Sequence, residues 1–210
     1  ASIRLVAGNS APTAQVLAPL PPLLWRVGDV IELTGAGNDP EQGNLTGDAL
    51  EWEMILRHCS DETFTDCHSH PVSGASGNHV AFDAPDHEYP SYLRFRLTAR
   101  DASDATGSAQ VDLFPAVTVV TLATVPPGLQ LVVGGAAART TPFVHMAIAN
   151  GSFSVSATSP QQLGGNTWNF ISWSAGGAAS HLVNIPDPGP VTLTATYDAG
   201  FGVMTSSTDP

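Results

Sequence analysis

The sequence predicts an all-β protein, and three observations carry that prediction. The 210 residues include 20 Gly and 17 Pro, which punctuate the chain too often for long helices. Thr, Val and Ser are abundant, and β-branched side chains fit a pleated backbone better than a helix. Short stretches of strict apolar/polar alternation recur between the turn residues, as in half-buried strands. Even the helix-compatible window Val117 to Thr124 is β-branched and stops at Pro126-Pro127-Gly128.

Two β modules in series follow from the spacing. Residues 1–10 read as a linker, entering the first module at Asn9-Ser10-Ala11-Pro12. Val27 to Leu33 is a strand of imperfect alternation. Leu50 to Leu56 is the clearest: Leu50, Trp52, Met54 and Leu56 share one face, Glu51, Glu53 and Arg57 the other, with Ile55 the exception. Tyr92 to Arg100 is as regular, with Leu93, Phe95, Leu97 and Ala99 inward and Arg94, Arg96, Thr98 and Arg100 outward. Ser108 to Phe114 closes the unit. Residues 11–115 therefore read as an immunoglobulin-like β-sandwich with Trp52 as its core tryptophan. A second small β-domain follows over 116–200. Its strands are Val117–Ala123, Leu129–Val133, Phe143–Ala147, Ser152–Ala157, Thr167–Ser172, His181–Ile185 and Val191–Tyr197, with Phe170 and Trp173 as core aromatics. The Ser/Thr-rich tail 201–210 is expected to fray.

Net charge is −12, with seven Arg and no Lys. Such a chain repels phosphate, so nucleic acid and anionic membrane surfaces are not expected partners. No apolar run reaches the ~18 residues of a membrane span, so insertion is not expected either. Two cysteines in a β-rich chain full of Thr and Gly point to a secreted protein with one disulfide. Ala1-Ser2-Ile3-Arg4 lacks the basic-then-apolar pattern of a signal peptide, so the sequence reads as a mature or excised segment. Asn44-Leu45-Thr46 and Asn150-Gly151-Ser152 match the glycosylation sequon, a frequent chance match.

Chemistry concentrates in three clusters: His58-Cys59, Cys67-His68-Ser69-His70 and Asp86-His87-Glu88-Tyr89-Pro90. In an immunoglobulin-like sandwich the third strand pairs antiparallel with the sixth. If these are Leu50–Arg57 and Tyr92–Arg100, the first and last clusters meet at one pole. A Cys59–Cys67 disulfide would draw the middle cluster there. That gathers His58, His68, His70 and His87, with Asp86, Glu88 and Tyr89 near. His79 falls on a separate strand. Three or four imidazoles suit zinc or copper. With the thiols free, a Cys/His zinc site is the rival, and a disulfide-pinned hairpin whose histidines bond backbone carbonyls is the structural alternative. All four of His58, His68, His70 and His87 are expected to hold a divalent metal; His58 continues the inward face of Leu50–Leu56, so if one turns toward the core it is His58, leaving His68, His70 and His87 as a three-ligand site open to water.

The opposite pole gathers Asp39, Glu41, Asp101, Ser103 and Asp104. Two readings stand there: calcium ligands, since calcium takes six to eight oxygens, or solvated turn acids. Trp25, Trp168 and Tyr92 are candidates for a sugar-stacking platform, or else satellite core aromatics. No Gly-x-Ser-x-Gly elbow is present, and Gly134-Gly135 and Gly176-Gly177 lack the helix and Lys of a phosphate loop.

Several segments carry a family resemblance. Gly35-Ala36-Gly37-Asn38-Asp39-Pro40-Glu41-Gln42-Gly43 resembles the acidic loop of PKD-type and related bacterial Ig-like domains, which often place a second Asp where this chain has Gln42. The series Leu50-Glu51-Trp52-Glu53, His58-Cys59, Cys67-His68-Ser69-His70, Ala84 to Leu93 and Leu97 to Asp101 resembles the C-terminal appendage of secreted, PQQ-dependent sugar dehydrogenases of the glucose/sorbosone type. The resemblance continues through Gly164 to Phe170, Trp173 to His181 and Thr194 to Tyr197. Ser2-Ile3-Arg4-Leu5 is similar to the last strand of the catalytic propeller. The resemblance implies an appendage and no enzyme, because the propeller that would hold the quinone lies outside it. The expected function is therefore a non-catalytic extracellular accessory module of a sugar oxidoreductase, fused or as a partner, carrying a histidine-rich divalent metal site beside a disulfide. The alternatives are a carbohydrate-binding module that targets polysaccharide, or a structural spacer or assembly domain.

Overall fold

The computed structural model describes residues 8–187 and 189–200. The expectations for Ser2-Ile3-Arg4-Leu5, for most of the linker 1–10 and for the tail 201–210 lie outside the described residues. Within them the protein is all-β, with a single 3-10 turn at Gly47–Ala49. The chain divides into two compact units. One comprises residues up to Val117 with Ile148–Gly151, and the other Thr118–Ala147 with residues from Ser152 on.

The first unit is a sandwich of nine strands: β1 Thr13–Ala18, β2 Leu24–Trp25, β3 Val30–Asp39, β4 Gly43–Leu45, β5 Leu50–Cys59, β6 Cys67–Ser76, β7 His79–Asp83, β8 Ser91–Arg100 and β9 Thr106–Pro115. One sheet joins β1, β3 and β4, with β7 also paired to β3; the other runs β2-β9-β8-β5-β6. β5 and β8 pair antiparallel with Leu50 opposite Ala99 and His58 opposite Ser91. Because side chains alternate across a strand, that register sends Trp52, Met54, Leu56, Phe95 and Leu97 to one face, where all are buried. Each such side chain contributes about 1.5–3 kcal/mol by leaving water.

Two tryptophans fix this core. Trp52 donates its indole N–H to Gly77 O at 3.0 Å, and Trp25 donates to Leu113 O at 2.9 Å, so neither buries an unpaired donor. Gly35 of β3 lets its backbone approach Trp52. An added Cβ there would sit 2.6 Å from Trp52 Cζ2 and 2.5 Å from Leu97 Cδ2.

The second unit holds β10 Val117–Val125, β11 Gln130–Val133, β12 Arg139–Thr140, β13 Phe143–Ile148, β14 Ser152–Ser156, β15 Gln161–Leu163, β16 Asn166–Trp173, β17 Ser180–Asn184 and β18 Val191–Ala199. Its sheets run β13-β10-β18-β16-β15 and β12-β11-β14-β17, with β10 and β18 parallel. Val120, Leu122, Leu131, Val155, Trp173, Leu193 and Tyr197 form a core of their own, with Phe170 packed against it.

Candidate metal centre

The site grows from the pairing of β5 with β6. The two strands are antiparallel, with Cys59 opposite Cys67, His58 opposite His68 and Leu56 opposite His70. Alternation then assigns faces. His58, His68 and His70 share the face of Leu56, while Arg57, Cys59, Cys67 and Ser69 share the other. Cys59 and Cys67 form a disulfide that closes the hairpin end, with an S–S distance of 2.02 Å. On the same side Arg57 braces the partner strand, donating to Ser69 Oγ at 2.9 Å and to Cys67 O at 3.3 Å.

The hairpin therefore gathers three imidazoles. One ligand nitrogen from each of His58, His68 and His70 lies within 4.8 Å of the other two, and no other group of three His, Cys, Asp or Glu does so among the described residues. Ring centroids are 5.1 Å apart for His58 and His68 and 4.6 Å for His68 and His70. His58 is half-buried, whereas His68 and His70 stand exposed on the edge strand. Burial is the main cause that pushes the His58 imidazole below its ordinary value. The neighbouring His87, His68 and His70 add to the effect and Glu88 opposes it. A neutral imidazole is the form that ligates a metal.

His87 reaches the same pole from the segment between β7 and β8 and lies against His58, though outside the group whose ligand atoms are all within 4.8 Å of one another. Its ring is 4.9 Å from His58 and 6.3 Å from His70, and its Nδ1 donates to Glu88 O at 3.2 Å. Of the four histidines expected to converge, His58, His68 and His70 come within ligand distance of one another, and His58 is not withdrawn from them. His58 points inward by alternation, yet it sits where the core ends, so its ring meets β6 instead of packing under apolar side chains. Sequence reasoning missed Ser91. It lies opposite His58 on β8, is fully buried, and its Oγ has no hydrogen-bond partner. The strand register is the signal that finds it.

The acidic pole is assembled as turns. Asp39 is buried, and its Oδ1 accepts from the backbone N–H of Glu41 at 3.0 Å and Gln42 at 2.7 Å, leaving Oδ2 unpartnered. Asp101 Oδ1 accepts from Ser103 and Ala105 N–H, both at 2.8 Å, and Oδ2 from the Asn9 amide at 2.6 Å. Those bonds, the Asn9 one foremost, hold its carboxyl below the usual range. Glu41 accepts from Ser10, and Asp104 lies 3.8 Å from Arg100. Gln42 Oε1 accepts from Ala102 N–H, so the two loops do meet at this pole. Asp39, Glu41, Asp101 and Asp104 nonetheless contribute no three ligand atoms within 4.8 Å of one another.

The sugar-stacking expectation needs correction. Trp25 is 1% exposed and Tyr92 5% exposed, so neither offers a ring face to a ligand. Trp25 belongs to the core. Tyr92 is outward-facing on β8, as alternation requires, but the 60–66 loop folds back over it. Phe64, at φ 56°, lays its ring against Tyr89, Tyr92 and Phe114 at 5.1–6.1 Å between centroids. Trp168, in the second unit, is half-buried against that unit's core and donates to Leu163 O at 3.2 Å. The outer face of the five-stranded sheet instead carries a groove of about 690 Å³, lined by Glu51, Glu53, Ser73, Arg96, Thr98 and Arg100 among others. Arg96 and Glu53 form an ion pair across it.

No protein-family model matches the chain, and no curated protein sequence matches it. Among solved structures, it is similar to two of the C-terminal fragment of the pilus adhesin SpaC from Lactobacillus rhamnosus GG, one of them iodide-soaked. Both are 11% identical and have a TM-score of 0.26, with 70% and 72% of this chain covering 89% of that one. Overlap at that level carries no argument about fold or function.

Proposed function

We propose that this chain is a secreted, non-catalytic accessory module of a sugar oxidoreductase that holds a zinc or copper ion in a histidine site beside a disulfide. One observation carries the metal: ligand nitrogens of His58, His68 and His70 lie within 4.8 Å of one another on one face of a closed hairpin. Three neutral imidazoles with one borderline-soft donor type suit those ions and not calcium or magnesium. The link to sugar oxidoreductases rests on the cysteine–histidine series and its similarity to the appendage of glucose/sorbosone-type dehydrogenases. The disulfide supports an oxidising, extracellular setting. Among the described residues no helix is long and apolar enough to cross a membrane.

Elemental analysis of protein purified without an affinity tag tests the metal reading. The expected result is close to one zinc or copper per chain, removable by a chelator and restored on dialysis. Protein that carries neither ion and takes up neither would sink it. A second reading, polysaccharide binding, has the polar groove at Glu51, Glu53, Arg96 and Arg100 in its favour, since paired carboxylates and guanidinium groups can bond sugar hydroxyls. Calorimetry with neutral polysaccharide and a Glu51→Ala, Arg100→Ala variant separates it, because that binding would not depend on metal.

A further inference from the structure

His87 decides whether the centre is open or closed. Ring contacts run in a circuit through the four histidines, from His58 to His68, to His70, to His87 and back to His58, with centroids 5.1, 4.6, 6.3 and 4.9 Å apart. A tetrahedral ion with bonds to nitrogen of about 2.0–2.1 Å puts each imidazole centroid about 3.2 Å away, and so spaces the centroids about 5.2 Å from one another. Three of the four contacts lie within about 0.6 Å of that spacing. Closing the fourth asks His70 and His87 to approach by roughly an ångström.

The tautomer of His87 agrees. Its Nδ1 donates to the carbonyl of Glu88 at 3.2 Å, which leaves the lone pair on Nε2. A ligating imidazole commonly donates its other N–H to a backbone carbonyl in this way, and the bond fixes the orientation of the ring. The segment that carries His87 is also fastened to the end of the hairpin, where Cys59 N–H donates to Pro90 O at 2.9 Å. Little ordering is then left for an ion to impose.

Resting on the reading that His58, His68 and His70 hold a metal, we propose that His87 Nε2 is the fourth ligand and that the centre is a closed, tetrahedral zinc site. Four protein donors fill a tetrahedron and leave no position for water or substrate, as in structural zinc sites. The ion ties together β5 through His58, β6 through His68 and His70, and the segment entering β8 through His87. A tetrahedron favours zinc over copper(II), because zinc has no geometric preference from its d-electrons and copper(II) prefers a tetragonal set.

Cobalt(II) is the probe, because its visible bands are intense in a tetrahedral site and weak at higher coordination. Uptake is measured first; a wild-type chain that binds neither cobalt nor zinc overturns the metal reading itself. Given uptake, the wild type should show intense bands that azide does not alter. Bands that shift saturably with azide would reveal an open position and overturn the proposal, while the three-histidine reading would stand. That measurement needs no variant. His87→Ala, with its folding checked by metal-free melts, should bind cobalt roughly tenfold or more weakly, since even an outer-shell partner of a ligand is worth about 10–100-fold in affinity. Its bands should become azide-sensitive, and free imidazole should restore the wild-type spectrum by filling the vacated position. A variant with wild-type affinity and spectrum would overturn the proposal. Protein purified without an affinity tag should carry zinc, and a full equivalent of copper in its place would overturn the choice of ion.

Discussion

Replacing His68 and His70 together by alanine removes two of three candidate ligands and disturbs little else. Both side chains stand exposed on β6, which is the edge of its sheet. Substitutions at such positions change stability by about 0.5 kcal/mol or less. Metal that binds only the folded state adds RT ln(1 + [M]/Kd), about 2.7 kcal/mol at a hundredfold excess over Kd. For a domain of roughly a hundred residues that raises Tm by about 10 °C. Thermal melts followed by circular dichroism, with zinc or copper and with chelator, should show this rise in the wild type and none in the double variant. Because imidazole must be neutral to ligate, the rise should fade as pH falls through ~6.5. His79→Ala is the control. That histidine sits on β7 in the other sheet, near Thr34 Oγ1 at 3.4 Å, so its variant should keep the full effect. A double variant that still gains stability from metal would refute the assignment of the ligands.

The disulfide closes a separation of eight residues, so reduction, or Cys59→Ala with Cys67→Ala, should cost about 2–3 kcal/mol in urea denaturation of the first unit; an unchanged midpoint would show that the hairpin holds without it. Gly35→Ala should destabilise by roughly 1–3 kcal/mol, since its Cβ would lie 2.5 Å from Leu97 Cδ2 in a core already filled by Trp52. Urea-denaturation midpoints of the wild type and the variant serve as the check, and equal midpoints would mean that the sheets spread at no cost. In metal-free protein the folded state holds His58 below its ordinary value, so the unfolded state binds the extra proton. The contribution of His58 is therefore full above ~6.5 and is lost as pH falls below it. The stability difference between wild type and His58→Gln should shrink over that window, and a difference that stays level or grows on acidification would contradict the sign.

The inner faces were readable because they repeat with a period of two. Leu50, Trp52, Met54 and Leu56, and Leu93 to Ala99 in alternate positions, are buried as their spacing predicts. β6 was not readable as a strand, because Cys67–Ser76 is polar, contains Pro71 and Gly74, and carries a register shift opposite Met54 and Ile55. Edge strands tolerate such residues since one side needs no ladder partner. That gap had consequences for the site. The clustering of histidines could be argued from topology, but which of them come within ligand distance depends on pairing His58 with His68, and no local pattern encodes a cross-strand register. The same holds for Phe64, whose loop returns over Tyr92 and removes a ring that alternation alone would leave exposed.

The alternation of β5 and β6 separates two reactive chemistries by a single residue. Sulfur and imidazole are neighbours in sequence at His58-Cys59 and Cys67-His68, yet they open onto opposite sides of the hairpin. Thiols released by reduction would therefore emerge on the side of Arg57 and Ser69, away from the imidazoles, and the donor set would stay purely nitrogenous in reducing and oxidising surroundings alike. Moving one strand by one position would exchange the faces and place a thiolate among the histidines. The bond that pins Cys59 to Cys67 thus acts as a frame marker: it holds the reading of the hairpin at which sulfur is kept out of the centre.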